Sequence, residues 1–157
     1  RSVHFLVPNM YGPFDSTDPN KAHALNALVS KFVKAQETGV PVVDVWGSGV
    51  AIREWLYAGD FARVVLAVIE NSRMPGLSEP LNVGQNFGLS VRELVDMVVA
   101  AVGYEGCVTY NHEMPDGAPR KVMDDRRFQK VFPGFAFTPL AQGIVRTIAH
   151  YRASLPY

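Results

Sequence analysis

The chain has 157 residues, of which 48% are hydrophobic and 19% are charged, a composition typical of a folded globular domain rather than a disordered chain. Fifteen basic residues balance fifteen acidic ones, so no global field favours nucleic acid or an anionic membrane, and any anion site must be local. No apolar run reaches the roughly 18 residues of a membrane span. The single cysteine, Cys107, excludes an intrachain disulfide and favours a cytosolic location.

The N-terminal part of the sequence predicts a strand, a long loop and a helix. Residues 3–7 (VHFLV) are apolar and β-rich, as in a buried strand, and this strand begins abruptly with no earlier segment to pair with. Residues 8–20 carry three prolines and a glycine, which predicts a long loop of the kind that is often functional. Apolar residues at helical spacing then predict a helix from Lys21 to Glu37, with Gly39 as its stop.

The middle of the chain predicts two extended segments and a second helix. Residues 40–46 (VPVVDVW) form a strand that a GSG turn ends, and residues 53–58 (REWLYA) are extended. Asp60 is a good N-cap for the next helix, which carries one apolar stripe. Residues 80–84 (PLNVG) predict a short buried strand.

The clearest helix signal lies in the C-terminal half. Ser90 and Glu93 form a capping box ahead of an apolar helix that Gly103 ends. The remaining elements are a strand at 107–111, a polar loop at 112–121, a short helix from Asp124 to Val131, and a last helix from Thr138, with Pro139 at its first position, to Ala153.

The alternation of strands and helices predicts an α/β or α+β class. Two motifs are missing from the sequence. No G-x-G-x-x-G loop follows a strand, and no tyrosine has a lysine four residues later, where a helix would place both on one face. The chain therefore lacks the parts that bind a dinucleotide and move its hydride.

Six segments in one order and at consistent spacing carry a family resemblance: VPNMYGP, VVDVWGSGVAIREWLYAGDFA, LNVG, LSVRELVDMV, PDGAPRK and FTPLAQGI. They resemble the C-terminal half of extended short-chain dehydrogenases that act on nucleotide sugars, the NAD-dependent epimerase/dehydratase family. Within it they are most similar to the GDP-L-fucose synthase type. The resemblance covers essentially the whole chain, and the helix KAHALNALVSKF with WGSGVAIR and PDGAPRK is its most specific part.

The resemblance implies an α/β fold in which residues 1–157 form one nucleotide-sugar-binding domain. Residues 1–12 would be a remnant strand and loop of the dinucleotide-binding domain. Family members carry that Rossmann domain, with its NADP loop and its catalytic Ser, Tyr and Lys, in an N-terminal part that is mostly absent here. The sequence leaves open whether this is a fragment, a natural half-protein or one piece of a two-chain enzyme. NADP is the expected cofactor of a complete enzyme, and this chain alone is expected to bind none.

Arg53 and Trp46 are the leading substrate-binding candidates. A guanidinium offers paired donors that match phosphate oxygens, and in the resembling family the arginine at the position of Arg53 grips the diphosphate. The indole of Trp46 offers a large face to a base or ribose. On composition alone Arg53 reads as a surface arginine and Trp46 as a core residue that ends a strand. The resemblance favours the site for both.

His23 and Lys31 lie eight residues apart on the first predicted helix, so both can border one cleft. An imidazole gives or takes a proton near neutral pH, and the resemblance implies that His23 is the acid for epimerisation, beside a cysteine that Cys107 does not represent. Lys31 stands where the family is expected to have an arginine, and a lysine neutralises phosphate as a point charge. The plainer alternatives are a capping histidine and a solvated lysine.

Asp116 lies in PDGAPRK, where an Asp-Gly turn is common for backbone reasons alone. The resemblance implies a substrate contact in which its carboxylate accepts from a guanine edge or a sugar hydroxyl. Arg120 and Lys121 flank the same loop and add positive potential.

The resemblance also assigns the family's nicotinamide-facing segment to residues 7–10. They are Val7, Pro8, Asn9 and Met10. The remaining histidines have no ligand-like spacing with carboxylates or the cysteine, so no metal site is predicted.

The predicted function is the nucleotide-sugar-binding half of an NADP-dependent GDP-4-keto-6-deoxymannose 3,5-epimerase/4-reductase, inactive alone. It would act with a missing N-terminal half or as a homo-oligomer, since its first strand suggests an exposed edge. Two alternatives remain open. One is the substrate domain of another nucleotide-sugar epimerase or dehydratase, and the other is a non-catalytic half-domain that binds a nucleotide or a partner.

Overall fold

A computed structural model describes residues 2–71 and 75–156. Its strands are β1 (Phe5–Leu6), β2 (Asn9–Tyr11), β3 (Val42–Trp46), β4 (Ile52–Arg53), β5 (Trp55–Tyr57), β6 (Leu81–Asn82), β7 (Leu89–Ser90), β8 (Cys107–Asn111) and β9 (Arg120–Lys121). Its helices are α1 (Ala24–Thr38), α2 (Ala58–Glu70), α3 (Val91–Val102), α4 (Arg126–Val131) and α5 (Leu140–Ala153).

The described strands form small sheets that are mostly parallel. β1 pairs with β6, β2 with β5, and β3 with β8, each in parallel. In the fourth sheet β4 lies in the centre, antiparallel to β7 and parallel to β9, so that Arg53 stands opposite Lys121. The turn at residues 47–49 therefore lies between two paired strands, β3 with β8 and β4 with β7 and β9.

The larger hydrophobic cluster holds β3 against three helices. Its members come mainly from α1, α3 and α5, and they include Phe32, Val95 and Ile148. The side chains of β3 alternate, so that Val43 and Val45 enter this cluster while the other three stay exposed. This alternation explains why Trp46 faces outward at the end of β3.

A second, smaller cluster joins β6, α2 and α4. Leu56, Val64, Leu81 and Phe128 are fully buried in it, and residues of β1 pack against it. β5 contributes to both clusters, since Trp55 belongs to the larger one and Leu56 to the smaller.

Several sequence predictions are confirmed. The capping box of α3 is present, with Ser90 Oγ accepting from the Glu93 amide and the Glu93 carboxylate accepting from the Ser90 amide. Gly39 and Gly103 end α1 and α3 in the left-handed conformation, at φ 67° and 73°. The strand predicted at 107–111 is β8.

Other predictions are wrong at the ends of elements. Asp60 does not cap α2, which begins at Ala58, but lies buried in its first turn, where its carboxylate accepts from the amide of Thr138 at 2.7 Å. That contact holds Thr138 outside α5, which begins at Leu140. Likewise, the predicted loop at 8–20 contains β2, which pairs with β5 over three residues.

Candidate functional site

Trp46 and Lys31 form one wall of a small cavity. The indole of Trp46 is 59% exposed, and the ammonium of Lys31 lies 5.4 Å from its ring centroid, within the range of a cation–π contact. Lys31 Nζ also donates to the carbonyl of Asp44 at 3.3 Å, which fixes its position beside β3. The cavity measures about 200 Å³ and is lined by residues of α1, β3, the loop before α1 and the start of α3, among them Pro19, Asn20, Leu28 and Val91.

The turn after Trp46 is pinned to the loop that precedes β9. Gly47 has φ 82°, and a Cβ there would lie 2.5 Å from Asp116 Oδ1, so both the conformation and the space require glycine. The Ser48 amide and hydroxyl donate to the two carboxylate oxygens of Asp116, each at 2.7 Å. These hydrogen bonds from Ser48, side chain first and backbone second, lower the pKa of the Asp116 carboxyl.

Arg53 reaches the same loop from β4. Its Nη1 donates to the carbonyls of Ile52 at 2.8 Å and Ala118 at 2.6 Å, and its Nη2 donates to the carbonyl of Asp116 at 2.8 Å. A guanidinium has five N–H donors. Among the contacts of the described residues, these three bonds leave one proton on Nε and one on Nη2 as donors for an oxyanion.

The four predicted substrate residues therefore form one continuous strip. Lys31 contacts Trp46, the turn after Trp46 binds Asp116 through Ser48, and Asp116 in turn accepts from Arg53. Lys121 stands beside Arg53 in the sheet. The structure thus brings the four residues together, and their contact with a substrate stays a prediction.

His23 lies at a second cavity. It is the N-cap residue of α1, and the cavity of about 220 Å³ is lined by residues 10–15 together with His23, Asn26 and Ala58. The imidazole Nδ1 is 3.1 Å from Asp15 Oδ2, which also accepts from the backbone amide of His23 at 2.9 Å. Ala24, the first residue of α1, follows His23 directly and lines the cavity at Trp46. The two cavities therefore lie on either side of the start of this helix.

Sequence reasoning missed Asp15. Burial works to raise the pKa of its carboxyl, but hydrogen bonds from the amides of His23 and Ser16 and from the His23 ring outweigh it and lower the pKa. The sequence carried a weak signal, an Asx residue eight positions before a histidine in a turn-rich loop.

Glu54 was also missed, although it directly follows Arg53. It is fully buried, and its carboxylate accepts from the backbone amides of Gln85 and of Met123, the latter at 2.7 Å. A buried carboxylate without such donors would be strongly unfavourable. Glu54 therefore links its own segment, next to Arg53, to the segments that contain Gln85 and Met123.

The predicted nicotinamide-facing segment is committed to internal contacts. The Asn9 side-chain amide donates to the carbonyl of Glu54 at 3.1 Å, and Val7 and Met10 pack against the smaller cluster. Pro8 lies between them and is partly buried. No glycine-rich phosphate loop accompanies this segment in the sequence, and its contact with a nicotinamide stays a prediction.

Within residues 2–71 and 75–156, no three His, Cys, Asp or Glu side chains are grouped as a metal site. Over the same residues, no helix is long and apolar enough to cross a membrane.

Comparison with known proteins adds the family. The profile of the NAD dependent epimerase/dehydratase family matches residues 1–84. Probable GDP-L-fucose synthase 1 of Oryza sativa subsp. japonica is 35% identical over 151 residues, which cover 96% of this chain and 44% of that protein. GDP-L-fucose synthase of Escherichia coli is 36% identical over 139 residues, covering 83% of this chain and 43% of that protein.

Solved structures agree in fold. A GDP-L-fucose synthetase from Naegleria fowleri, bound to NADP, matches 94% of this chain and 46% of its own length, with TM-score 0.83 and 27% identity. A UDP-glucose 4-epimerase from Thermotoga maritima has TM-score 0.78 at 22% identity and shares the fold. The chain spans less than half the length of these four relatives. Because the family profile covers more than half of its residues, the chain belongs to the NAD dependent epimerase/dehydratase family.

Proposed function

We propose that this chain is the nucleotide-sugar-binding part of a GDP-L-fucose synthase-type epimerase/reductase and corresponds to the C-terminal half of such an enzyme. The observation that carries the proposal is the strip from Lys31 to Arg53, which ends in a guanidinium with two donors that the described residues do not use. The similarity to GDP-L-fucose synthases of plants and bacteria supports the choice of ligand class.

Different residues of the strip bind chemically different parts of the ligand. The indole of Trp46 and the ammonium of Lys31 hold the nucleoside end, where a flat base stacks and a cation adds attraction. Arg53 binds the diphosphate in bidentate fashion, with Lys121 adding a second positive charge beside it. The Asp116 carboxylate keeps lone pairs beyond its two bonds to Ser48, and these accept from the guanine edge or a sugar hydroxyl.

The chemistry assigned to this chain is limited to binding, orientation and one acid. His23 exchanges a proton at a carbon beside a keto group, a step that suits an imidazole near neutral pH. NADP would supply the hydride in an enzyme of this type, and the residues that cradle it and protonate the oxygen would lie outside these 157 residues. We therefore expect no reductase turnover from this chain with a nucleotide sugar and NADPH.

Calorimetry with GDP and with UDP tests the proposal on the chain itself. We expect GDP to bind more tightly than UDP, and Arg53→Ala to weaken GDP binding about 10- to 100-fold, because a bidentate pair to a phosphate is lost. Arg53→Lys keeps the positive charge but not the paired donors, so its affinity for GDP should lie between those of the wild type and Arg53→Ala.

The matched control is Arg126→Ala, which removes an exposed guanidinium that pairs with Asp124 away from the strip. It should bind GDP as the wild type does. Tighter binding of UDP would favour a different nucleotide-sugar enzyme of the family. A folded Arg53→Ala chain with unchanged GDP affinity would refute the site.

A further inference from the structure

We propose that Asp15 is a positioning residue that holds the His23 imidazole with its proton on Nδ1 and leaves Nε2 to exchange protons in the adjoining cavity. The inference rests on the proposed function for the chemistry at His23. The pairing of the two side chains is a separate claim about this chain and is measured separately.

One carboxylate oxygen makes both contacts. Asp15 Oδ2 lies 3.1 Å from His23 Nδ1 and accepts from the His23 backbone amide at 2.9 Å. A carboxylate accepts only, so the ring nitrogen that faces it must carry the proton. Nε2 of His23 makes no hydrogen bond to any described residue.

The carboxylate is itself held on its other side. Asp15 Oδ1 accepts from the Ser16 amide at 2.8 Å. Phe14, the preceding residue, has φ 71°, a left-handed conformation that is rare for a bulky side chain and that turns the chain directly before the carboxylate. The Phe14 ring, 89% exposed, lies 4.7 Å between centroids from the His150 ring on α5.

The hydrogen bonds around Asp15 favour the ionised form of its carboxyl. The net lowering of the pKa of Asp15, against the effect of its burial, comes from the same bonds to His23 and Ser16. The next acid in the loop, Asp18, is paired with Lys21 at 3.6 Å and accepts from the Asn20 amide, so it does not compete for the imidazole.

The Asp15–His23 pair determines which proton moves during the transfer between His23 and the substrate carbon. When the imidazolium gives its Nε2 proton to a carbanionic carbon beside the keto group, a new C–H bond forms and the neutral ring keeps its proton on Nδ1. Asp15 remains a carboxylate throughout. The reverse transfer, from carbon to Nε2, restores the imidazolium, which the adjacent carboxylate stabilises.

The tautomer of His23 is measurable in the isolated chain by nitrogen NMR. In ¹⁵N-labelled protein, about two pH units above the ordinary histidine pKa, long-range ¹H–¹⁵N correlations distinguish protonated from bare ring nitrogens. The chain has four histidines, and His23→Gln identifies the relevant signals. We expect His23 to carry its proton on Nδ1, the reverse of the preference of a free side chain.

Asp15→Ala should lower the ratio of the Nδ1–H to the Nε2–H tautomer by about tenfold or more, as expected for loss of a charge-assisted hydrogen bond. Asp18→Ala, which removes an equal charge three residues away, should leave the ratio unchanged. If Asp15→Ala disrupts α1, Asp15→Asn replaces it, since its single amide oxygen still accepts from either the His23 or the Ser16 amide, and without the negative charge the ratio should still fall.

A wild-type ring with its proton on Nε2, or an unchanged ratio in folded Asp15 variants, overturns the proposal. The nucleotide titrations at Arg53 do not depend on this result. Loss of GDP binding with an intact Nδ1–H tautomer would refute the function and keep the pairing, whereas the opposite outcome would refute the pairing and keep the function.

Discussion

At the scale of single residues, the Ser48–Asp116 pair shows how a candidate ligand contact also builds the site. Its two hydrogen bonds close the turn after Trp46 onto the loop that Arg53 reaches. The turn glycine and the aspartate were both visible in the sequence, but the bond between them joins residues 68 positions apart. The sequence singled out the glycine turn and Asp116, but it did not predict the bond that joins them.

Ser48→Ala should destabilise the chain in a pH-dependent manner. The folded-state pKa of Asp116 lies below its ordinary value of 3.8, so the stabilisation from its carboxylate is present above that value and is lost as the pH falls through the folded pKa. The difference in free energy of unfolding between wild type and Ser48→Ala should therefore be largest near neutral pH and shrink in acid. Urea denaturation at several pH values measures it, with exposed Ser78→Ala as the control. A constant difference across pH would contradict the expectation.

Asp15 and Glu54 mark the limit of prediction at this scale. Arg53 and Trp46 could be proposed because their side chains suit an anion and a base whatever their surroundings. Asp15 and Glu54 gain their roles from partners that the fold supplies, respectively an imidazole eight residues later and amides 31 and 69 residues later. Such roles can be recognised only once the tertiary structure shows the partners.

At the scale of elements, α3 and α2 contrast in how they begin. α3 was predicted correctly at both ends because its capping box and its terminal glycine are local signals. The start of α2 was misplaced because Asp60, a residue type that favours N-caps, is instead bonded to Arg63 at 2.9 Å and to Thr138. Tertiary partners override a local preference where a buried carboxylate finds stronger donors.

Asp60→Asn should therefore destabilise the junction of α2 and α5 rather than the helix start alone. The Asp60 carboxylate, 1% exposed, accepts from the Thr138 amide at 2.7 Å and its hydroxyl at 2.9 Å. An amide turns one acceptor into a donor, and an unsatisfied buried donor costs about 1–3 kcal/mol. Urea unfolding should show this loss, whereas Asp96→Asn on the exposed face of α3 should be nearly neutral. Equal effects of the two substitutions would argue against the tether.

At the scale of the whole molecule, the two hydrophobic clusters differ in how completely they are covered. The larger one is enclosed by three helices and β3. The smaller one leaves apolar side chains outside it, with Leu66 and Ile69 on α2 exposed by 56% and 69% and Leu6 on β1 by 52%. The sequence predicted the class of fold and the apolar stripe of α2. It did not predict that α2 buries chiefly Val64 and leaves another apolar side outward, because that depends on which elements pack against it.

These features favour association of two copies through α2 and the neighbouring edge of β1. Leu66 and Ile69 are three residues apart and so share one helix face, and β1 has a single hydrogen-bonded neighbour, β6, among the described strands. Exposed apolar surface next to an open strand edge is stabilised when a second copy covers it. The mass measured by light scattering should rise with concentration for the wild type. The double substitution Leu66→Glu with Ile69→Glu should keep the chain monomeric, because it places charges on that face. Val145→Glu on α5, at a position with 57% exposure, should associate as the wild type does. A wild-type mass that stays monomeric at all concentrations, or an equal loss of association in both variants, would show that this face is not the interface.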